Sequence, residues 1–551
     1  MIQDLVVATP FLEHVGNGSW IFGNGLWNIT QGPIYATKLH YDGSDAIGAA
    51  VGHYAGYDGE NNLQWQSASI VTQTDEYIDI SFLAAEGELH WVIFDGLAGS
   101  YQYFVNHALP DISIFRTLFR LDPIRFTSGR TYLKDEPLPD FSMYANATKV
   151  QDETWQLANG SFITKYDWSN YVRERDFNGV YGHETGSWYI HPSTDYFSGN
   201  HLSQTLTVHR ESSTGDTVQL NVVQDTSHFQ IGVTTAQPKG KIWGPWLWYL
   251  NNGSITDAAR QQKEELSKWP YHWLNDTSYQ SRGSLTGSLR LSDDRPASGA
   301  AVFLGDTDTS VRPLAQGSNY YYSTYADDLG YFSIPNIRTG TYGLLAWSNG
   351  DVLGGVYTNF TRSDIVISSK EETALGDLNW VIPSTHTSIF QIGDFDKKAI
   401  GFKNGGAPYQ HGLAALSPAN LTYTVGKSNS KDWYYAQSNL GTWDVVFAIK
   451  PADRVSVRTA LLTLSLAGYS QSAGMTILLN DDMILGVLGK ENITSDPTLY
   501  RSGTTSGEWH LFQYEIAVAL LHDGENKLSF RIDRYTLWRG FLWDSIILEW
   551  V

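Results

Sequence analysis

The chain has 551 residues, no cysteine, and 58 acidic against 37 basic side chains, for a formal net charge of −21. That length exceeds one ordinary core and predicts two to four domains. The charge argues against a nucleic-acid partner, and the missing cysteine excludes disulfides, thiolate nucleophiles and cysteine metal sites. An acidic chain that binds an acidic polymer needs a locally basic groove. No apolar run is long enough for a membrane-spanning helix, so no membrane partner is expected. No signal peptide follows Met1, so the sequence reads as a mature chain. Nine Asn-x-Ser/Thr sequons, at Asn17, Asn28, Asn146, Asn159, Asn252, Asn275, Asn359, Asn420 and Asn492, favour a glycosylated, secreted, extracellular protein.

From residue 1 to about 250, short runs of period-2 alternation are broken by Gly, Asn and Asp. Tyr77-Ile-Asp-Ile-Ser-Phe-Leu and Ile114-Phe-Arg-Thr-Leu-Phe-Arg are examples. This predicts half-buried antiparallel strands and a large sandwich. Ser254 to Pro270 breaks the habit with a capping serine, strong helix formers and a terminal proline, predicting a bridging helix near 254–269. From Arg282 to about Trp380 some seven short strands suit a fibronectin- or immunoglobulin-like sandwich. From Ile389 onward the strands suit a jelly roll of the carbohydrate-binding sort. The expected division is 1–280, 281–382 and 383–551, all-β. The 20 Trp and 32 Tyr exceed what cores demand and suit stacking on sugar faces.

Several chemistries are weighed on residue types. His-Glu-x-x-His and EF-hand patterns are missing, so no cofactor is required. Asp481 with Asp482, or Asp394 with Asp396, could hold a structural calcium, although solvated loop carboxylates are the plainer reading. No Gly-x-Ser-x-Gly elbow is present. A two-carboxylate glycosidase stays open, as does a non-catalytic carbohydrate-binding protein. β-Elimination on a uronic acid needs a cation to neutralise the carboxylate, a base for the C5 proton and an acid at O4. Lysine serves as base when its pKa is lowered, and histidine serves as acid. The segment from Asn159 to Phe229 offers Lys165 on a short strand, His183, His209 and His228. Arg116 and Arg120 share one strand face, and Arg125, Arg130, Arg173 and Arg175 follow. Taken singly, each of these is more often a surface or structural residue.

The order of several runs carries a resemblance: Phe-Arg-Thr-Leu-Phe-Arg-Leu-Asp-Pro (115–123), Thr-Lys165-Tyr-Asp-Trp-Ser-Asn-Tyr, Gly-Val-Tyr-Gly…Gly-Ser-Trp-Tyr-Ile, Gln-Thr-Leu-Thr-Val-His209, Ser-His228-Phe and Gly244-Pro-Trp. Gly-Tyr-Phe-Ser-Ile-Pro-Asn-Ile-Arg-Thr-Gly-Thr-Tyr, Gln391-Ile-Gly-Asp-Phe-Asp and Trp543-Asp-Ser-Ile-Ile-Leu-Glu continue it almost to the end. Together they resemble the rhamnogalacturonan lyases of polysaccharide lyase family 4. The resemblance implies a galactose-mutarotase-like β-super-sandwich, a fibronectin type III-like domain and a jelly-roll carbohydrate-binding-like domain. It implies a monomer that cleaves the rhamnose-α-1,4-galacturonate bond of rhamnogalacturonan I. By position it puts the base on Lys165, the acid on His228 and the arginine on Arg120 or, as the alternative, Arg116; the first two roles could be exchanged. Tyrosines expected before the histidine are missing from Leu-Asn-Val-Val-Gln-Asp-Thr-Ser-His228, and His209 is a rival for the acid. Lyase action on another rhamnose–uronate polymer therefore stays open. Arg173, Tyr181, His183 and Trp246 are further candidates for sugar contact. Arg501 reaches the groove only if the last domain folds back.

Overall fold

The computed structural model describes residues 9–308, 314–383, 386–407, 409–454, 459–534 and 539–551. The alternating runs of the first 250 residues pair into two large antiparallel sheets. One runs in the spatial order Phe11–Gly16, Ser19–Gly23, Trp27–Gln31, Ala36–Tyr41, Gly52–Tyr57, Ile114–Leu121, Thr217–Asp225 and Val208–Arg210. The other has Ile242–Asn251 at its centre, between Thr185–Ile190 and Gly99–Asn106. Alternation sorts each strand by face. On Ile114–Leu121, Phe115, Phe119 and Leu121 join the core between the sheets, while Leu118 joins an apolar cluster on the outer face. Arg116 and Arg120 share that outer face.

The core is aromatic. Trp248 stacks on Phe119 at 4.7 Å and meets Trp27 edge-on at 5.2 Å. Eleven of the 20 tryptophans are less than 2% exposed. Most of the aromatic excess therefore fills cores, where each ring contributes roughly 1.5–3 kcal/mol by burial, and only a minority is free to meet sugars.

The expected helix forms at Ile255–Lys268, with the Ser254 side chain accepting from the Asp257 N–H at 3.1 Å. It packs on the outer face of the second sheet through Ala258 and the buried Glu265. Glu265 is buried because donors surround it: Tyr101 at 3.1 Å, Gln261 at 2.9 Å, Lys268 at 3.0 Å and Tyr271 at 2.5 Å. The helix is thus part of the first sandwich as much as a bridge from it.

The next section has two sheets. Arg282–Leu291 lies between Tyr331–Arg338 and Glu372–Trp380, opposite a four-stranded sheet ordered Tyr322–Tyr325, Ala301–Gly305, Gly340–Trp347 and Phe360–Ile367. Leu285, Leu289, Leu304, Phe332 and Trp380 fill the space between them. The last section has two five-stranded sheets, one centred on Phe541–Trp550 and Thr459–Tyr469, the other on Gly441–Ile449 and Gly524–Arg534. Leu464 and Trp543 of one pack with Trp443 and Phe530 of the other.

These parts are joined by buried polar contacts. Asp195 of the first sandwich meets Arg282 at 3.0 Å and Arg338 at 3.1 Å, and all three are buried. The Thr498 hydroxyl of the last section donates to the Phe229 carbonyl at 2.6 Å. Tyr409 donates to Gln204 at 2.6 Å. The last section is therefore folded back onto the first.

Candidate active site

The site lies on the outer face of the first sheet, at the edge formed by Thr217–Asp225 and Val208–Arg210. Register brings its members together. Arg120 pairs across from Val218, and Val218 pairs across from His209. Opposed residues point to the same face, so Arg120 and His209 flank Val218 across three strands. Glu211, two residues beyond His209, closes the group. Its carboxylate lies 3.3 Å from Arg120 and 3.8 Å from His209 Nε2. Arg120 also lies 3.6 Å from Asp216, and its Nε donates to the Tyr54 hydroxyl at 3.3 Å.

Lys165 arrives from a different element. A small sheet of Thr148–Gln151, Thr154–Gln156 and Phe162–Thr164 ends in a 3-10 turn, Lys165–Trp168. Thr164 caps the turn by accepting from the Tyr166 N–H at 3.3 Å. Tyr166 and Trp168 are buried, and Lys165 stays at intermediate exposure. The sequence placed Lys165 on a strand. A threonine that caps one residue earlier ends the strand and starts the turn. Burial lowers the Lys165 pKa below the ordinary lysine value, Glu153, Asp152 and Glu211 oppose this, and Arg501 adds to the lowering. His209 is also pushed down, by burial first and then by the Lys165 and Arg120 charges, with Glu211 acting against them. Glu211 itself is held well below the usual carboxylate range by His209, and further by Arg120 and Lys165.

His228 stands in the bend after Thr217–Asp225 rather than on the strand. Asp225 organises that bend. Its carboxylate accepts from the backbone N–H groups of Ser227 at 3.2 Å and His228 at 3.1 Å, and lies 2.9 Å from His228 Nδ1. Burial works to raise the Asp225 carboxyl, and the His228 ring and these amides hold it below its usual value. With Nδ1 engaged, Nε2 is the nitrogen left to meet a substrate.

Arg501 joins the two arms. It sits in a 3-10 turn, Leu499–Arg501, of the last section. Its guanidinium donates to the His228 carbonyl at 2.8 Å and to Asp152 at 2.7 Å, and lies 4.7 Å over the Tyr166 ring. Tyr166 in turn donates to Asp152 at 2.7 Å and packs edge-on against Phe229 at 6.0 Å. The segments carrying Lys165 and His228 are thus fastened side by side by a residue more than 270 positions further along the chain.

Other expected contacts fall elsewhere. Trp246 is fully buried in the sandwich core, donating to Gln102 at 2.7 Å, and cannot meet a sugar. Arg173 spends its donors on the carbonyls of Gly199, Thr194, Phe197 and Tyr321, so it clamps loops instead of holding substrate. Tyr181 belongs to the second sheet, where it stacks on Trp188 at 5.7 Å and donates to Asp135 at 2.7 Å. His183 is exposed in the turn that follows, with φ +41°. Neither joins the Lys165 group. Arg116 lies on the Arg120 face four residues away, donating to the Gly59 carbonyl at 2.5 Å. The groove is also less basic than expected, because Lys165, Arg120 and Arg501 each face carboxylates. Asp152, Glu153, Glu211 and Asp225 were not singled out from the sequence. Glu211 was within reach as the i+2 neighbour of His209, and Asp225 as the i−3 neighbour of His228.

Residues 292–375 match domain II of polysaccharide lyase family 4, and residues 388–548 match its domain III, described as CBM-like. Rhamnogalacturonate lyase of Dickeya dadantii is 30% identical over 501 residues, covering 87% of this chain and 82% of that protein. Rhamnogalacturonate lyase B of Emericella nidulans is 25% identical, covering 72% and 68%. The probable rhamnogalacturonate lyase B of Aspergillus niger is 23% identical, covering 71% and 63%. An all-β chain with these relatives is a polysaccharide lyase. It belongs to polysaccharide lyase family 4.

Proposed function

We infer that the chain cleaves the rhamnose-α-1,4-galacturonate bond of rhamnogalacturonan I by β-elimination. The names of its relatives support the substrate. The observation that carries the residue roles is the fastening of the Lys165 and His228 segments by Arg501. Arg120 meets the uronate carboxylate. Its own carboxylate contacts, at 3.3 and 3.6 Å, are longer than tight charge-assisted bonds of about 2.7–2.9 Å, so a substrate carboxylate can compete for it. With that charge neutralised, the neutral Lys165 amine takes the C5 proton. The C5–H electron pair becomes the C4=C5 double bond, the C4–O4 bond breaks, and His228 Nε2–H protonates the leaving oxygen. One product carries an unsaturated uronate end and the other a new hydroxyl.

His228 is preferred over His209 as the acid. Burial and two adjacent cations disfavour a protonated His209, whereas Asp225 engages Nδ1 of the His228 ring and leaves Nε2 for a substrate. His209 holds Glu211 beside Lys165 and Arg120. The strand leading to His228 carries Val218, Leu220 and Val222 on the groove face, in the apolar cluster with Tyr54. Tyr54, two strands away, supplies a phenol there.

The test is incubation with rhamnogalacturonan, followed by ultraviolet absorbance of the unsaturated product. New reducing ends without absorbance would mean hydrolysis, and binding without either would mean a carbohydrate-binding protein. The same reading has the chain secreted, monomeric and working without a metal cofactor, so that treatment with a chelator leaves turnover unchanged. Asn17, Asn146, Asn159, Asn252, Asn275, Asn420 and Asn492 are exposed and open to glycosylation. A glycosidase-induced mass shift in the protein from its native source tests this.

A further inference from the structure

A cavity of about 610 Å³ opens where the three sections of the chain meet. Asn200 and Gln230 of the first sandwich, Leu345 and Asn359 of the second, and Lys397 and Trp509 of the last line it. This is within the roughly 300–1,000 Å³ of ligand pockets. Three features give it a chemistry. Lys397 is 5% exposed and has no hydrogen-bond or ion-pair partner among the described residues. It lies 4.1 Å over the Trp509 ring and 5.1 Å over Trp347. The Asn359 Oδ1 atom is buried without a hydrogen bond. Trp509 is held in place by its indole N–H, which donates to Ser465 at 2.8 Å, and by edge contact with Phe395 at 5.8 Å. Burial pushes the Lys397 amine down to about 7, although the Asp544 carboxylate and that of Glu508, which also lines the cavity, act against this; a bound carboxylate favours its charged form further. A fixed indole beside amide groups suits a sugar ring with its hydroxyls.

The cavity lies near the segment that carries His228. Gln230, two residues beyond His228, lines it and also lines a smaller cleft of about 240 Å³ bounded by Ser227 and Arg501. Gln230 thus borders both the cleft beside Arg501 and the three-way junction.

We propose that the junction cavity is a second carbohydrate site, which holds a uronate-containing stretch of the same polysaccharide chain through Lys397 and Trp509. It rests on the reading of the Lys165–His228 groove as the place of cleavage. Its role is affinity and alignment of long chains, not bond breaking.

The experiment uses the full chain carrying Lys165→Ala, titrated with a rhamnogalacturonan oligosaccharide and with its carboxyl-reduced form. Adding Lys397→Met should weaken binding of the acidic oligosaccharide by about tenfold, the worth of one charged hydrogen bond. It should leave the weaker binding of the carboxyl-reduced form unaltered. In the otherwise unaltered enzyme, Lys397→Met should raise KM for the polymer with little change in kcat. Trp509→Phe keeps the packing against Phe395 and should weaken both forms of the sugar. Thermal unfolding of each variant checks that it is folded. Equal affinity with and without Lys397, or an equal loss for both forms of the sugar, overturns the proposal. If the unaltered enzyme yields no unsaturated product, the cleavage reading fails instead, and the titration still reports on the cavity.

Discussion

At Lys165, burial and charge pull in opposite directions. Burial lowers the amine's pKa, three carboxylates raise it, and the net direction is down. A base must be neutral to act, so kcat/KM should rise with pH on the acid limb, about tenfold per unit where Lys165 alone limits. Lys165→Arg keeps a cation but cannot be deprotonated. It should fold normally and lose roughly 10²–10⁴ in kcat, as should His228→Ala. Steady-state kinetics on rhamnogalacturonan check both. If His209→Ala is inactive while His228→Ala retains turnover, the acid moves to His209. Lys165, Arg120 and His228 were singled out by the family resemblance, since by residue type alone each reads as readily as a surface or structural residue. Their carboxylate partners were not, since Asp152, Glu153 and Glu211 look like ordinary surface acids until pairing and the turn at Lys165 bring them together. Trp246 and Arg173 misled for a related reason. A tryptophan or an arginine suits a sugar and a buried bond network equally well, and only burial separates them.

Among the elements, strand alternation was the most readable signal. Arg116 and Arg120 share a face because the period is 2, and the core residues between them follow the same rule. The helix at Ile255–Lys268 was equally plain from its cap and composition. What it docks against was not, because the docking depends on Glu265, a charged residue that composition assigns to solvent. Its carboxylate is buried among four donors. Glu265→Ala would leave those donors unpaired and should cost about 3–5 kcal/mol of stability. Denaturant unfolding of the variant measures this, while the site on the opposite sheet should keep its substrate specificity.

For the whole molecule, the three-part order was visible in strand rhythm, but the fold-back of the last part was not. It depends on contacts between residues hundreds of positions apart, such as Thr498 with Phe229 and Arg501 with Asp152. Arg501→Ala should therefore loosen the register of the Lys165 and His228 arms and lower kcat more than it raises KM. Asp195 links the first and second parts. Burial opposes its ionisation, but Arg338 and Arg282 hold its pKa below the usual value. Its stabilising charge is thus fully present at neutral pH and fades only as pH falls below about 4. Asp195→Asn should lower the melting temperature at pH 7 and narrow the gap to the unaltered protein in strong acid. The central claim, that Lys165 and His228 carry out β-elimination, is tested most directly by the absorbance of the unsaturated uronate. Rhamnogalacturonan incubated with the unaltered chain should gain that absorbance, while Lys165→Ala and His228→Ala should gain almost none. Wild-type absorbance from either variant, or reducing ends without absorbance from the unaltered chain, would contradict the account.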